Sequence, residues 1–353
     1  MKKIILTGGG TAGHVTPNLA LVETLKSKNW DIDYIGSVNG IEKQIVTESG
    51  LKYHGIKSGK LRRYFSIENF TDPFKVIAGV FEAYSIIRKI KPNIVFSKGG
   101  FVTVPVIIGA YLNRVPVIIH ESDMTPGLAN KISIPMAKKV CVSFPETLQY
   151  LNQKGIYTGT PIRSEILKGN KEKGYALCNF NNQKPVLLII GGSLGSEFIN
   201  NSMRNILDTI LEKFQVIHVC GKGNYKAEFD NKIGYKQFEY VNEELSDIFA
   251  ITDIIVARAG SNSIFEFLNL RKPNLLIPLS RKASRGDQIL NAESFEKMGY
   301  SKVIQEEDIT PDKLISLINQ LYNEKNQYIE TMNKSPAKNS VDEIIKVIED
   351  TSL

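Results

Sequence analysis

The chain has 353 residues, 42% hydrophobic and 23% charged, which excludes a disordered chain and at this length points to two domains. No apolar run reaches the ~18 residues of a membrane span, and the N-terminal IIL stretch is too short for a signal sequence. The formal charge of +7 suits a membrane surface, a phosphorylated ligand or a nucleic acid, or is simply a solvated basic surface. Cys141, Cys178 and Cys220 lie far apart with no C-x-x-C pair, so neither a disulfide framework nor a zinc knuckle is indicated and a reducing cytoplasm fits.

In chain order, KKIILT predicts a buried parallel strand that runs into the turn TGGGTAGH. A helix PNLALVETLKSK follows Thr16, with Pro17 in its first turn. DIDYIGS is the next strand, PFKVIAGVFEAYSIIRKIK a longer helix, and NIVFSKG, VPVIIHE and KKVCVSF further strands with short apolar centres. The segment Thr158–Arg163 breaks both periods with Gly159 and Pro161, and the rhythm then restarts at PVLLIIGGSLGS. QVIHVCG, KQFEYV, TDIIVARAGS and PNLLIPLS complete the second half. Alternating strand and helix predicts two doubly wound α/β domains, with their loops at the strand carboxyl ends.

Glycine-rich turns that feed helices expose backbone N–H groups at the positive end of a helix dipole. The chain has four candidates: TGGGTAGH, SKGGFVTVP, GGSLGS and RAGSNSIFE. Glycine alone also serves close strand–helix packing, but four such turns across two domains favour a bound phosphate or diphosphate. Gly8, Gly10 and Gly13 match a dinucleotide fingerprint, yet the acidic residue that should end the second strand is missing: Asp31 and Asp33 come too early. Gly191, Ser193 and Gly195 match a nucleophile elbow, but the only later histidine, His218, falls inside a predicted strand. Ser193 is then a phosphate contact. Neither a nucleotide-triphosphatase loop nor a zinc-binding H-E-x-x-H occurs, and no metal site is expected.

The remaining polar residues gather at predicted strand ends: His120, Glu121, Ser122 and Asp123, then Arg163, Glu266, Asp287 and Gln288. Glu266 could hold vicinal ribose hydroxyls or only complement a helix dipole. His14, at the mouth of the first turn, is the candidate general base, since imidazole titrates near the working pH; a diphosphate contact and a structural histidine are the alternatives. Glu121 is the reserve candidate.

The ordered set TGGGTAGH, SKGGFVTVP, HESDMTPGLANK, TGTPIR, GGSLGS, RAGSNSIFE and RGDQILNA resembles the MurG-type N-acetylglucosaminyltransferases of bacterial peptidoglycan synthesis. The resemblance implies a GT-B architecture, two Rossmann-like domains facing across a cleft. It places an acceptor-side and membrane-side domain at 1–160, a UDP-GlcNAc domain at 161–336, and a C-terminal helix, 337–353, crossing back to the first. It implies inverting transfer of GlcNAc from UDP-GlcNAc to the MurNAc 4-hydroxyl of a lipid-linked MurNAc-pentapeptide. Donor contacts carry onto Thr11, Ala12, Gly13, Asp123, Arg163, Ser193, Val241, Ser261, Asn262, Glu266 and Gln288, with no cofactor.

Residues 61–91 combine Arg62, Arg63, Lys75, Arg88 and Lys89 with Phe65, Phe70, Phe74 and Phe81. Such a segment can lie on an anionic surface without crossing it, or can pack its apolar side on the sheet. Peripheral attachment at the cytoplasmic face of the membrane is the expectation, with no nucleic-acid partner. The rival readings are a UDP-GlcNAc 2-epimerase of the same fold and a non-catalytic nucleotide-sugar sensor.

Overall fold

A computed structural model describes residues 1–59, 68–192, 195–281, 286–335 and 340–353. The chain divides into two units, Met1–Arg163 with Ala337–Leu353, and Ser164–Pro336. The division falls after Arg163, at the end of the Thr158–Arg163 break of the sequence reading and three residues past its 160/161 boundary. Thr160 is held to the first unit: it is buried, with its Oγ1 2.6 Å from Ser143 Oγ.

In the first unit the strands are β1 (Lys3–Thr7), β2 (Asp31–Ser37), β3 (Lys52–Ile56), β4 (Ile94–Ser97), β5 (Val117–Glu121), β6 (Lys139–Val142) and β7 (Gly155–Tyr157). They form a parallel sheet of order β3-β2-β1-β4-β5-β6-β7. The second unit contains β8 (Val186–Ile190), β9 (Gln215–Val219), β10 (Tyr235–Phe238), β11 (Ile254–Ala257), β12 (Asn274–Leu276) and β13 (Ser301–Val303). Its sheet is also parallel, of order β10-β9-β8-β11-β12-β13. Each sheet therefore reverses direction once, between β1 and β4 and between β8 and β11. Ligands bind beyond the strand carboxyl ends at such a switch point.

The central strands are β-branched runs covered on both faces, as parallel sheets require. Ile4, Leu6, Ile94 and Phe96 point to one side of the first sheet, where Ile344, Ile345 and Ile348 of the helix Ser340–Thr351 cover them. Burying each of those isoleucines contributes about 1.5–3 kcal/mol. Lys28 Nζ, 3.0 Å from Glu349, ties the same helix down at the surface. The neighbouring residues Ile5 and Val95 point to the other side, onto Ala83, Ile87, Val106 and Ala110. In the second unit Leu187, Ile189, Ile254 and Val256 pack on Met203, Ile210, Leu314 and Ile318.

Three strands escape the sequence reading: KYHGI (β3), GIY (β7) and SKV (β13). Each is an edge strand, with a partner on one side only, so none carries a long buried apolar run. The expected helix after Thr16 splits into Thr16–Leu19 and Val22–Ser27, and the long helix begins at Glu68, enclosing Pro73.

Candidate active site

In the first unit the polar residues converge at the carboxyl ends of β1, β4 and β5. Two glycine turns touch there. Gly9 N donates to Gly99 O at 3.4 Å, and a Cβ on Gly100 would lie 2.2 Å from the Gly9 carbonyl oxygen. Gly100 also has φ +92°, so close approach and backbone conformation both require glycine.

Glu42 lies beneath the first turn. It sits in the opening turn of the helix Ile41–Glu48 and is buried. Its carboxylate accepts from Gly10 N (3.2 Å), Ser37 N (3.0 Å) and Ser37 Oγ (2.6 Å). It is the first acidic side chain past β2, in a helix rather than at the strand end that a dinucleotide site requires. It grips the glycine turn rather than projecting toward a ribose.

His14 closes the short 3₁₀ turn Ala12–His14 that follows. Its ring donates to the Lys98 carbonyl, while Nδ1 is buried and has no hydrogen-bond partner among the described residues. Burial, helped by the positive charge of Lys98, pushes the imidazole down to about 4. His14 is therefore neutral at physiological pH, and its unprotonated nitrogen is not consumed by any donor among the described residues.

Glu121 is fully engaged. Its carboxylate accepts from Asp123 N (3.1 Å), Gly127 N (2.9 Å) and Asn130 Nδ2 (2.8 Å), so it holds the segment 122–127 onto the start of the helix Leu128–Ser133. Burial and the nearby Asp123 push its carboxyl up. A carboxylate with three N–H donors in place is a loop anchor first and a base second. Asp123 is half-buried at the head of that segment; Thr11 is exposed, and Ala12 and Gly13 are partly so.

In the second unit the turns after β8 and β11 share one clamp, Arg258. Its guanidinium donates to Ile277 O (3.1 Å) and Pro278 O (3.2 Å), to Ser196 Oγ (2.8 Å) and to Glu306 Oε1 (2.5 Å). Ser196 is the N-cap of the helix Glu197–Asn205, accepting from Ile199 N. One buried cation thus fixes the start of that helix against the ends of β11 and β12. Gly195 packs so closely that a Cβ would lie 2.2 Å from Cys220 O. Asn200 Nδ2 holds that same carbonyl (2.8 Å), and His218 Nε2 donates to Asn200 Oδ1 (2.9 Å) while Tyr235 OH donates to Nδ1 (2.8 Å). His218 is committed to this network, as the rejection of a hydrolase triad requires.

Gly260 caps the helix Ser261–Leu270 with an ordinary φ of −67° and open space where a Cβ would stand. Neither strain nor packing among the described residues demands glycine here. Ser261 is buried at the first position of that helix, and Asn262 and Glu266 follow on its first turns, both half-buried. Gln288 Oε1 accepts from Leu279 N (3.0 Å), which leaves its amide N–H donors to offer a ligand. Val241 is buried just beyond β10, and Arg163 is half-buried at the end of the first unit. Ser193 lies outside the described residues. The structure brings Thr11–His14, Glu121 and Asp123 together in one unit, and Ser261, Asn262, Glu266 and Gln288 around the strand ends of the other. Lys98, Glu42 and Arg258 were not singled out from sequence, though the first sits inside SKGG and the third begins RAGS.

Residues 4–142 match the glycosyltransferase family 28 N-terminal domain, and residues 186–348 match its C-terminal domain. The chain belongs to glycosyltransferase family 28. A Clostridium tetani protein named UDP-N-acetylglucosamine–N-acetylmuramyl-(pentapeptide) pyrophosphoryl-undecaprenol N-acetylglucosamine transferase is 59% identical over 349 residues, covering 99% of this chain and 98% of its own. Among solved structures, Acinetobacter baumannii MurG superposes with a TM-score of 0.79 at 23% identity, covering 99% and 100% of the two chains. A Listeria monocytogenes protein assigned as a UDP-N-acetylglucosamine 2-epimerase superposes at 0.75 with 11% identity, covering 99% and 96%. The GT-B fold of two Rossmann-like units is thus common to both activities. The high-identity, full-length relative is what separates this family 28 glycosyltransferase from the epimerase and sensor readings.

Proposed function

We propose that the chain moves GlcNAc from UDP-GlcNAc to the 4-hydroxyl of a MurNAc-pentapeptide carried on undecaprenyl diphosphate, inverting the anomeric centre. The observation that carries this reading is the 59% identity, over nearly the whole chain, to a transferase whose name states that donor and acceptor. UDP charge is favoured at the N-termini of the helices Glu197–Asn205 and Ser261–Leu270. Arg163, Ser193, Val241, Ser261, Asn262, Glu266 and Gln288, with Thr11, Ala12, Gly13 and Asp123, are the proposed donor contacts.

In the reaction the acceptor oxygen forms a bond to C1 as the bond from C1 to the β-phosphate oxygen breaks on the opposite face. UDP leaves as an anion, and the hydroxyl proton passes to a base. His14 is the proposed base, because its imidazole is neutral and Nδ1 has no donor among the described residues. Nδ1 is buried, so this role requires the protein around it to admit the acceptor hydroxyl.

The lipid acceptor brings in the membrane. Among the described residues no helix is long and apolar enough to cross one. On the helix Glu68–Ile90, Phe74 (75% exposed), Ile77 and Phe81 (67% exposed) recur at helical spacing, accompanied by Lys75, Arg88 and Lys89. An apolar stripe with flanking cations suits peripheral docking on an anionic inner-leaflet surface. Arg62, Arg63 and Phe65 lie outside the described residues.

A transfer assay with radiolabelled UDP-GlcNAc, with and without a lipid-linked MurNAc-pentapeptide analogue, tests the reading. Labelled disaccharide product should form only with the acceptor. Conversion of the free donor to its 2-epimer without acceptor would replace this reading with the epimerase.

A further inference from the structure

Lys98 follows β4 as the first residue of the second glycine turn and is 1% exposed, among the most buried long side chains in the chain. An ammonium in such a place is costly unless its donors are used. Here they are used in a way that dictates the state of its neighbours. His120 Nε2 lies 2.8 Å from Gly159 O, which can only accept, so Nε2 carries the proton. Nδ1 is then the acceptor, and Lys98 Nζ, at 2.9 Å, donates to it. The same ammonium donates to Ser122 Oγ. One side chain therefore joins the end of β4 to the end of β5 and, through His120, to the Thr158–Arg163 segment. The backbone of Lys98 does a second job: its carbonyl accepts from the His14 ring, and its N–H donates to Thr7 O (2.9 Å) at the end of β1.

We infer that Lys98 is a positioning residue for the transfer reaction: its buried side chain ties His120 and Ser122 together and places a positive charge beside His14. The inference rests on His14 being the base. The ionisable groups facing this pair are Glu42 from the helix Ile41–Glu48, His120, Glu121 and Asp123 from the end of β5, and Cys141 from β6. Burial pushes the Cys141 thiol up to about 12, so it is neutral; burial and Lys98 together hold His120 well below the usual imidazole range. Burial lowers Lys98 itself to about 8, with Glu121 and Asp123 opposing the shift, so it still carries its charge at neutral pH. A cation beside His14 disfavours the imidazolium. It thereby extends to lower pH the range in which His14 can take a proton.

The test compares wild type, Lys98→Met, His14→Ala and the double variant by kcat–pH profile, with wild-type imidazole tautomers read by ¹⁵N NMR. Lys98→Met should lower kcat by about tenfold to a hundredfold through misplacement of the acceptor-side groups, leaving KM for UDP-GlcNAc within about twofold. Its acidic limb should move to higher pH by about one unit or more, and this shift should vanish in the His14→Ala background. A loss of kcat with the acidic limb unmoved would reduce Lys98 to scaffolding, and unchanged kcat would remove it from the reaction. If Lys98→Met does not fold, the wild-type spectrum decides. His120 protonated at Nε2 at pH 7 supports the tie through Lys98, and protonation at Nδ1 overturns it, since two donors would then face each other. If His14→Ala keeps the wild-type acidic limb, the base assignment fails while the His120 tautomer still judges the Lys98 tie.

Discussion

Replacing Glu42 by alanine should loosen the first glycine turn and destabilise the first unit by about 2–4 kcal/mol. Three donors lose their acceptor: Gly10 N, Ser37 N and Ser37 Oγ. The hydroxyl can rotate to a new partner, so the lasting cost falls on two backbone N–H groups, at about 1–3 kcal/mol for each donor left unsatisfied. Gly10 is exposed enough for water to recover part of that, which sets the upper end near 4 rather than 6 kcal/mol. Glu42→Gln should cost less, about 1–2 kcal/mol, because one amide oxygen remains but the NH₂ must face a donor. The chain carries a single tryptophan, Trp30, buried in the first unit's core against the same sheet. Its fluorescence during urea unfolding therefore reports the first unit by itself, which avoids treating a two-unit chain as one transition. With a slope of about 2 kcal/mol per molar, Glu42→Ala should lower the midpoint by about 1–2 M. Transfer activity should fall with it, because Thr11–His14 hang from the same turn. An unchanged Trp30 midpoint would refute the reasoning, since it would mean that the three contacts contribute nothing net.

Glu266→Ala should weaken UDP-GlcNAc binding by about 1.5–3 kcal/mol in calorimetry if its carboxylate holds the ribose hydroxyls; unchanged affinity would leave it as a partner of the helix dipole. Replacing Phe74 and Phe81 by serine should release the protein from both neutral and anionic vesicles. Removing Arg62 and Arg63 should weaken only anionic binding, by about 1 kcal/mol per charge, and sedimentation insensitive to all four changes would move the docking surface elsewhere. His14→Ala should lower kcat by about 10²–10⁴ with donor affinity nearly intact, and a parallel collapse of donor affinity would make His14 a phosphate ligand. His14 also bears on stability. Its folded value near 4 lies below an unfolded value near 6.5, so between those limits the unfolded chain binds the extra proton. Stability should be complete above about pH 6.5 and fall by up to about 3 kcal/mol as pH drops toward 4, a loss visible in the Trp30 midpoint and smaller in His14→Ala.

What could be read in advance follows what parallel sheets do to a sequence. A central strand such as KIILT or VLLII is buried on both faces and must be apolar throughout, so it announces itself. An edge strand has half that demand. KYHGI keeps one fully buried residue, Ile56, and pairs its polar positions with solvent or with Asp33 and Ser37 across β2. Its register with β2 is set by backbone pairing, which leaves no mark in the pattern of residue types. The domain boundary was legible to within three residues because Gly159 and Pro161 break the local period, while the Ser143–Thr160 contact that ties the start of that segment to the first unit is long-range and leaves no local mark.

The site divides along the same line. Glycine turns were legible because φ near +90° and a backbone 2.2 Å from a would-be Cβ admit one residue type. Glu42, Lys98 and Arg258 were not, because a charge in a sequence points to the surface unless its partners are known. For Glu42 and Arg258 half or more of the partners are backbone groups: Gly10 N and Ser37 N for Glu42, Ile277 O and Pro278 O for Arg258. Any residue supplies a backbone N–H or C=O, so no pattern of side chains foretells such a contact. The buried charges need the turns to satisfy them, and the turns need the charges to hold a shape that glycine alone would leave loose. Substituting either side of that dependence should therefore disturb the other, with Gly9→Ala and Glu42→Ala failing together rather than adding, because a Cβ on Gly9 would stand 2.6 Å from the Glu42 carboxylate.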